Sequence, residues 1–417
     1  MPPSLSNRVT GLQPSVTVAC MNRAMALKAD GKDVLSFAAG EPDFDTPDPI
    51  KRAAIAALEG GQTKYMPTLG DPATRSAIAE KLGKENGIVG LTGSHVGISA
   101  GAKHALYALM QCLFDQPKAG EEARELLLPV PAWVSYAPLA RLAGAKVVEI
   151  PTTPEDGFKV TPEQLKGAIG PKSRALVLNS PSNPTGTMYS EAELRALAKV
   201  VGESVSAAPD LVVITDEIYE KIVYGDTPHF SIGSVPEIAD RVVTVNGLSK
   251  AYAMTGWRAG YSACPGEFGL RLMKGLATIQ GQMTTNITAF VYPAIRVALA
   301  EGAEQVEQMR TAFAARAALI ADRLEAIPNL ECVRPQGAFY AFPDISQVFG
   351  MVTPKGTPIG SALDFAEALL EESLMAVVPG EDFGGCGGNH IRISFACSEE
   401  QINKGMDRLA AFVDGLR

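Results

Sequence analysis

The sequence predicts an α/β protein, with a large domain on a largely parallel sheet flanked by helices and a smaller α+β domain. Three observations point there. Between about residues 45 and 300, short and nearly continuous apolar runs alternate with stretches at helical spacing. That is how strands buried on both faces of a parallel sheet read. Gly, Asn, Ser and acidic residues gather just after those runs, where open α/β sheets place their ligands. Beyond about residue 300 the texture changes to one long amphipathic segment followed by scattered short runs. At 417 residues the chain exceeds one small core, so two domains are expected, 45–300 and 1–44 together with 301–417.

The elements follow in order. Residues 15–30 (SVTVACMNRAMALKAD) have helical spacing, and Leu35 to Ala39 is a short apolar run ended by Gly40-Glu41-Pro42. Asp48-Pro49 reads as the capped start of a helix that stops at Gly60-Gly61. A turn-rich segment, 63–67, leads to a helix from Pro72 to about Glu85. Strands are expected at Val96–Ser99, Glu125–Val130, Ala145–Ile150, Ala175–Leu178, Leu211–Thr215 and Val242–Val245. Ala303 to Ala326 is a long helix, expected to be continuous with one starting near Thr285. Runs at 330–333 and 339–342, a helix near 360–372, a run at 391–395 and a helix over 399–416 complete the chain.

Composition narrows the function. The net charge is −9, which argues against the basic patch that nucleic acid requires. The six cysteines form no C-x-x-C pair and read as reduced thiols, and the four histidines show no metal-ligand spacing. No metal is therefore expected. The first fifteen residues lack the charged start and apolar core of a signal peptide, and no apolar run reaches membrane-spanning length. A cytoplasmic protein with neither membrane nor nucleic-acid partner is the expectation.

Five stretches at predicted strand ends carry chemistry, and each also has a plain structural reading. Ser99 to Lys103 opens a helix with small residues, which lets an anion approach its N–H groups or simply makes a tight turn. Trp133 can stack on a flat ring or pack half-buried. Asn183, between two prolines, is a fixed amide or a self-capping turn residue. Asp216 and Tyr219 can face one ligand, or Asp216 can cap a helix. Ser249-Lys250, with Arg258 eight residues on, offers a hydroxyl, an amine and a guanidinium. The amine can form a Schiff base with a carbonyl cofactor and the other two can hold a phosphate; alternatively they are ordinary loop residues.

Taken in order, these stretches resemble the fold-type-I pyridoxal-phosphate aminotransferases. The closest likeness is to the class-I aspartate aminotransferase family, in the branch with many bacterial and plant prephenate/aspartate enzymes. The blocks that carry the resemblance are AGEPDFDTP, TKY, SAGAKHALY, PAWVSY, NSPSNPTG, TDEIYE, VNGLSKAYAMTGWRAGY, PQGAFY, VVPGEDFG and IRISFA, spanning residues 38–396. The resemblance implies a mainly parallel, seven-stranded type of sheet and a homodimer with shared active sites. It implies that Lys250 carries the cofactor and shuttles the substrate proton. Asp216 would pair with the pyridine nitrogen, Tyr219 and Asn183 with the phenolic oxygen, and Trp133 would cover the ring. Gly101, Ala102, Ser249 and Arg258 would hold the phosphate, joined by Tyr65 from the neighbouring subunit. Arg392 would clamp the substrate α-carboxylate, with Gly40 against the same group.

The resemblance bears on the substrate too. Lys103 stands where this branch places a lysine for a distal carboxylate, and Ser15 and Thr17 match hydroxyls that assist it. Branch members that accept prephenate carry a basic residue just before the Pro-Ser pair, where this chain has Gln13. Aspartate with 2-oxoglutarate is the expected pair. A prephenate-accepting enzyme or a lyase of the same fold is the alternative. A DNA-binding regulator would need a helix-turn-helix ahead of AGEPDF, and a dehydrogenase a G-x-G-x-x-G.

Overall fold

A computed structural model gives the fold for residues 3–12 and 16–417, with only the backbone of Val16 and Thr17. Twelve strands follow the chain: β1 (Leu35–Ser36), β2 (Val96–Ala100), β3 (Glu125–Val130), β4 (Lys146–Pro151), β5 (Ser173–Asn179), β6 (Val212–Asp216), β7 (Val242–Gly247), β8 (Ala259–Ala263), β9 (Tyr340–Ala341), β10 (Met375–Ala376), β11 (Val378–Pro379) and β12 (Ile391–Ser394). Seven form one sheet in the order β2-β8-β7-β6-β5-β3-β4. All neighbours pair in parallel except β8, which runs antiparallel to β2 and β7. The inner strands are apolar on both faces because helices cover both.

β8 has no counterpart among the sequence expectations. It reads AGYSA, too small and mixed to look like a buried run. Its smallness has a purpose: a Cβ on Gly260 would lie 2.4 Å from the Ala102 nitrogen. A larger residue would push β8 away from the helix start it supports.

Two further details differ from expectation. The helix expected from Thr285 starts at Val291, and Gly302 separates Val291–Glu301 from Ala303–Glu325. Thr285 has φ +62° and sits in a turn. At Gly302 a Cβ would lie 2.7 Å from the Tyr252 ring, so the glycine lets that ring pack into the junction. Asp48 lies in the first turn instead of at the cap, and its carboxylate meets Lys51 at 2.7 Å.

The C-terminal third supplies the antiparallel sheet β11-β12-β9 and much of a second core. Phe313, Phe339, Phe365 and Met406 are fully buried there. β1 pairs in parallel with β10, joining residues 35–36 to the C-terminal portion. Phe37 is buried in the same core. The helix Ala303–Glu325 packs on the C-terminal helix Glu399–Asp414. No helix among the described residues is long and apolar enough to cross a membrane.

Candidate active site

A cavity of about 350 Å³ opens at the C-terminal ends of β5, β6 and β7. It is lined by Gly40, Ala102, Lys103, Trp133, Asn183, Asp216, Tyr219, Ser249, Lys250, Arg258 and Arg392. Residues from six separated stretches and from the strand β12 thus meet in one place.

Asp216 is the last residue of β6 and is buried. Its Oδ2 accepts the Tyr136 hydroxyl at 2.7 Å and its Oδ1 accepts the Ile218 N–H at 3.2 Å. Burial pushes its pKa up to about 6, against the pull of the Tyr136 and Ile218 hydrogen bonds and of the Lys250 charge. Lys250 follows β7 on a turn and donates to the Gly40 carbonyl. Burial lowers the amine to about 8, opposed by Glu41 and reinforced by Arg392 and Arg258.

Arg392 on β12 is buried with its Nη1 at 3.0 Å from Asn183 Oδ1 and its Nη2 at 2.9 Å from the Ala38 carbonyl. Its Nε has no partner among the described residues. The guanidinium lies 4.8 Å from the Tyr340 ring centroid. Asn183 is itself fixed, since its N–H donates to Asn179 Oδ1 at 2.9 Å. With Oδ1 taken by Arg392, its side-chain NH₂ has no hydrogen-bond partner among the described residues. The Tyr219 hydroxyl pairs with that of Tyr340 at 2.9 Å, and both rings are buried.

Gly101 caps the helix Ala102–Leu113 at φ +86°, ψ 164°. A Cβ there would lie 2.5 Å from Arg258 Nη2. Arg258 also donates to the Thr255 carbonyl at 2.7 Å and to that of Ala100 at 3.3 Å. A helix N-terminus, a guanidinium and the Ser249 hydroxyl make a cradle that fits a phosphate. Beside it stand an amine for a carbonyl, a carboxylate for a ring nitrogen and Trp133 for a flat face. The residues present therefore fit pyridoxal phosphate.

Lys103 is exposed overall, yet its amine sits 4.8 Å from the Trp133 ring centroid. Partial desolvation there, with the Arg258 charge, lowers its pKa. Among the described residues no carboxylate lies within ion-pair distance of it. Tyr65 is not brought to this cavity. It is 89 % exposed and borders a separate surface groove with Lys64 and Phe290. Gln13 and Ser15 lie outside the described residues, and of Thr17 only the backbone, in the helix Val16–Ala29, is described.

Tyr136 and Tyr340 also line the cavity, and the sequence alone assigns them no role. Both lie in recognisable blocks, PAWVSY and PQGAFY, but a tyrosine in an apolar stretch looks the same whether its hydroxyl meets a core carbonyl or a buried carboxylate lining the cavity.

Comparison with known proteins gives a consistent picture. The family model described as aminotransferase class I and II matches residues 32–409. The aspartate aminotransferase of Geobacillus stearothermophilus is 40% identical over 411 residues, covering 98% of this chain and 99% of that one. The aspartate/prephenate aminotransferase of Thermus thermophilus is 40% identical, covering 97% and 98%. The crystal structure of the aspartate aminotransferase from Rhizobium meliloti superposes with a TM-score of 0.92 at 37% identity, covering all of both chains.

Proposed function

We propose, since the chain belongs to the class I and II aminotransferases, that it is an aspartate aminotransferase. In this reading it uses pyridoxal 5′-phosphate to move the amino group between L-aspartate and 2-oxoglutarate, giving oxaloacetate and L-glutamate. The observation that carries this is the single cavity shared by the Lys250 amine, the Asp216 carboxylate and the Arg392 guanidinium. When bound, the cofactor supplies a carbonyl for an amine and a protonated ring that takes up electrons released at the substrate α-carbon.

The chain's own residues then divide the work. Lys250, lowered to about 8, has a free-amine fraction near neutral pH far above that of an exposed lysine. That nitrogen captures the cofactor and, once released, takes and returns the proton at the substrate α-carbon. Asp216 is largely ionised above about pH 6, and the Tyr136 hydroxyl aims it at the ring nitrogen. Tyr219 and the Asn183 amide hold the phenolic oxygen. Gly101, Ala102, Ser249 and Arg258 hold the phosphate, and Trp133 covers the ring.

Arg392 takes the α-carboxylate as a planar fork, next to Gly40. Lys103, a cation without a carboxylate partner among the described residues, takes the distal carboxylate, with Ser15 and Thr17 as further hydroxyls. Tyr65, exposed on its own subunit, reaches the phosphate of a partner copy, which makes the protein a homodimer with shared sites. Residues 45–300 form the cofactor domain; residues 1–44 and 301–417 form the domain that brings Arg392, and substrate draws the two together.

The test is a steady-state comparison of amino acceptors, with glutamate as donor. Faster turnover of oxaloacetate than of prephenate supports the reading, and the reverse order overturns the aspartate assignment. Lys103→Ala should raise the KM for aspartate far more than that for alanine; equal changes would remove Lys103 from substrate recognition.

A further inference from the structure

The residues from Asp216 to Glu220 face two ways. Asp216, Ile218 and Tyr219 line the cavity. Glu217 and Glu220 point away from it, into a buried cluster against the helix Pro72–Asn86. There the Lys81 ammonium donates to Glu220 Oε1 and to Asn86 Oδ1, the latter at 2.8 Å. The Asn86 amide in turn bridges the two carboxylates, at 3.0 Å to Glu217 Oε2 and 2.6 Å to Glu220 Oε2. Ser231 donates to Glu217 Oε1 at 2.6 Å and Thr215 does so at 3.2 Å. Lys81, Asn86 and Glu217 are buried, and the side chain of Glu220 is 8% exposed. None of these groups touches the cavity.

We propose that Lys81 is a positioning residue for the reaction, anchoring through Glu220 and Asn86 the turn that follows Asp216 and presents Tyr219. The inference rests on the cofactor roles given to those two residues above. The reason is mechanical. Residues 217–222 form turns with no helix or strand ladder, so the main chain alone holds them by isolated bonds such as Glu217 N–H to the Val245 carbonyl at 2.9 Å. Side chains supply the remaining restraint, and they tie the turn to a different helix of the same domain.

The electrostatics point the same way. Glu217 and Glu220 share a buried site with one lysine, which also lies 3.7 Å from Glu85, and with His229, 4.0 Å from Glu217. Burial holds Glu217 above the usual carboxylate range, while the Lys81 and His229 charges and the Lys81 and Asn86 hydrogen bonds bring Glu220 down to about 2 against that same burial. Removing Lys81 leaves a buried charge unpaired, which is far costlier than removing the pair. The cheapest relief is for the turn to move Glu220 toward water, which carries Tyr219 with it, while Asp216 stays in the β6 ladder. The ligating atoms of Glu217, Glu220 and His229 also lie within 4.8 Å of one another, but the Lys81 ammonium already serves as the cation bound there.

Holoenzyme carrying Lys81→Met is compared with the double variant Lys81→Met/Glu220→Gln, which removes both charges. The readouts are the midpoint of the cofactor's absorbance titration with pH, kcat and the KM for aspartate. Lys81→Met should move the midpoint by half a pH unit or more and lower kcat at least tenfold, with KM within threefold. The double variant should return kcat to within about threefold of wild type. A Lys81→Met enzyme that titrates and turns over as wild type overturns the proposal, as does a double variant no better than the single. Should Lys81→Met fail to fold, Asn86→Ala is judged by the same midpoint and kcat criteria. Wild-type protein that fails to take up the cofactor would instead overturn the functional reading on which the proposal stands.

Discussion

Gly101→Ala tests the phosphate cradle directly. Gly101 has φ +86° and ψ 164°, a region open almost only to glycine and costing other residues ~1–3 kcal/mol. Its new methyl would lie 2.5 Å from Arg258 Nη2 and 3.0 Å from Cζ, so the guanidinium must swing away. The backbone cannot retreat, because the Gly101 carbonyl carbon already lies 2.4 Å from where a Cβ on Gly260 would be. Displacing Arg258 also loosens its bonds to the Thr255 and Ala100 carbonyls, adding about 1–2 kcal/mol. The total is roughly 2–5 kcal/mol. At ~2.1 cal/mol/K per residue over 417 residues, the apoprotein's melting temperature should fall by about 2–6 °C. Cofactor affinity should fall by about 10–100-fold, since a charged hydrogen bond to phosphate contributes roughly 1.5–3 kcal/mol. Gly31→Ala is the control: Gly31 also has positive φ, +78°, but nothing lies within 4 Å of its Cβ position. It should cost stability alone. Thermal melts of the apoproteins and fluorescence titration with pyridoxal phosphate read both effects. Unchanged cofactor affinity in Gly101→Ala would refute the cradle.

Three other outcomes follow from the site. Lys250→Met should give colourless protein and should stabilise the apoprotein at pH 7, by on the order of 2 kcal/mol once the lost bond to Gly40 is subtracted. The sign comes from a folded pKa of about 8 against a model value of 10.5: the charged amine is penalised fully below pH 8, and the penalty fades as pH rises to 10.5. Denaturant melts at pH 7 and pH 10 that show the same gain would contradict it. Asp216→Asn keeps the shape but removes the charge, and should lower kcat by about 10²–10³, measured with cofactor saturating; a loss under tenfold argues against ring-nitrogen pairing. Arg392→Lys replaces a fork by a point charge and should reduce kcat/KM for aspartate by about 10–100-fold, while pyridoxal-phosphate binding by the apoprotein stays within threefold.

Much of the site was legible because its residues sit in short local patterns. Asp216 ends an apolar run, Lys250 follows another, and Gly101 opens a helix, so each is marked by its immediate neighbours. The strands β5, β6 and β7 appeared where expected for the same reason. β8 escaped because AGYSA has no apolar run, its small side chains answering to the close approach of Gly101 and Ala102. The break at Gly302 escaped because its cause, the Tyr252 ring, lies fifty residues earlier in the chain.

The sequence by itself determined the alternating α/β class, the motif residues that define the family, and the chemistry each residue type can perform. Only the tertiary structure decided which of them meet. Arg392 reaches Asn183 across 209 residues, Tyr136 reaches Asp216 across 80, and Lys81 reaches Glu220 across 139. Periodicity and turn chemistry are written by neighbours a few positions apart. Partnership between distant side chains depends on where packing returns the chain, and on burial that sets the Lys250 amine and the Asp216 carboxyl to their shifted proton affinities.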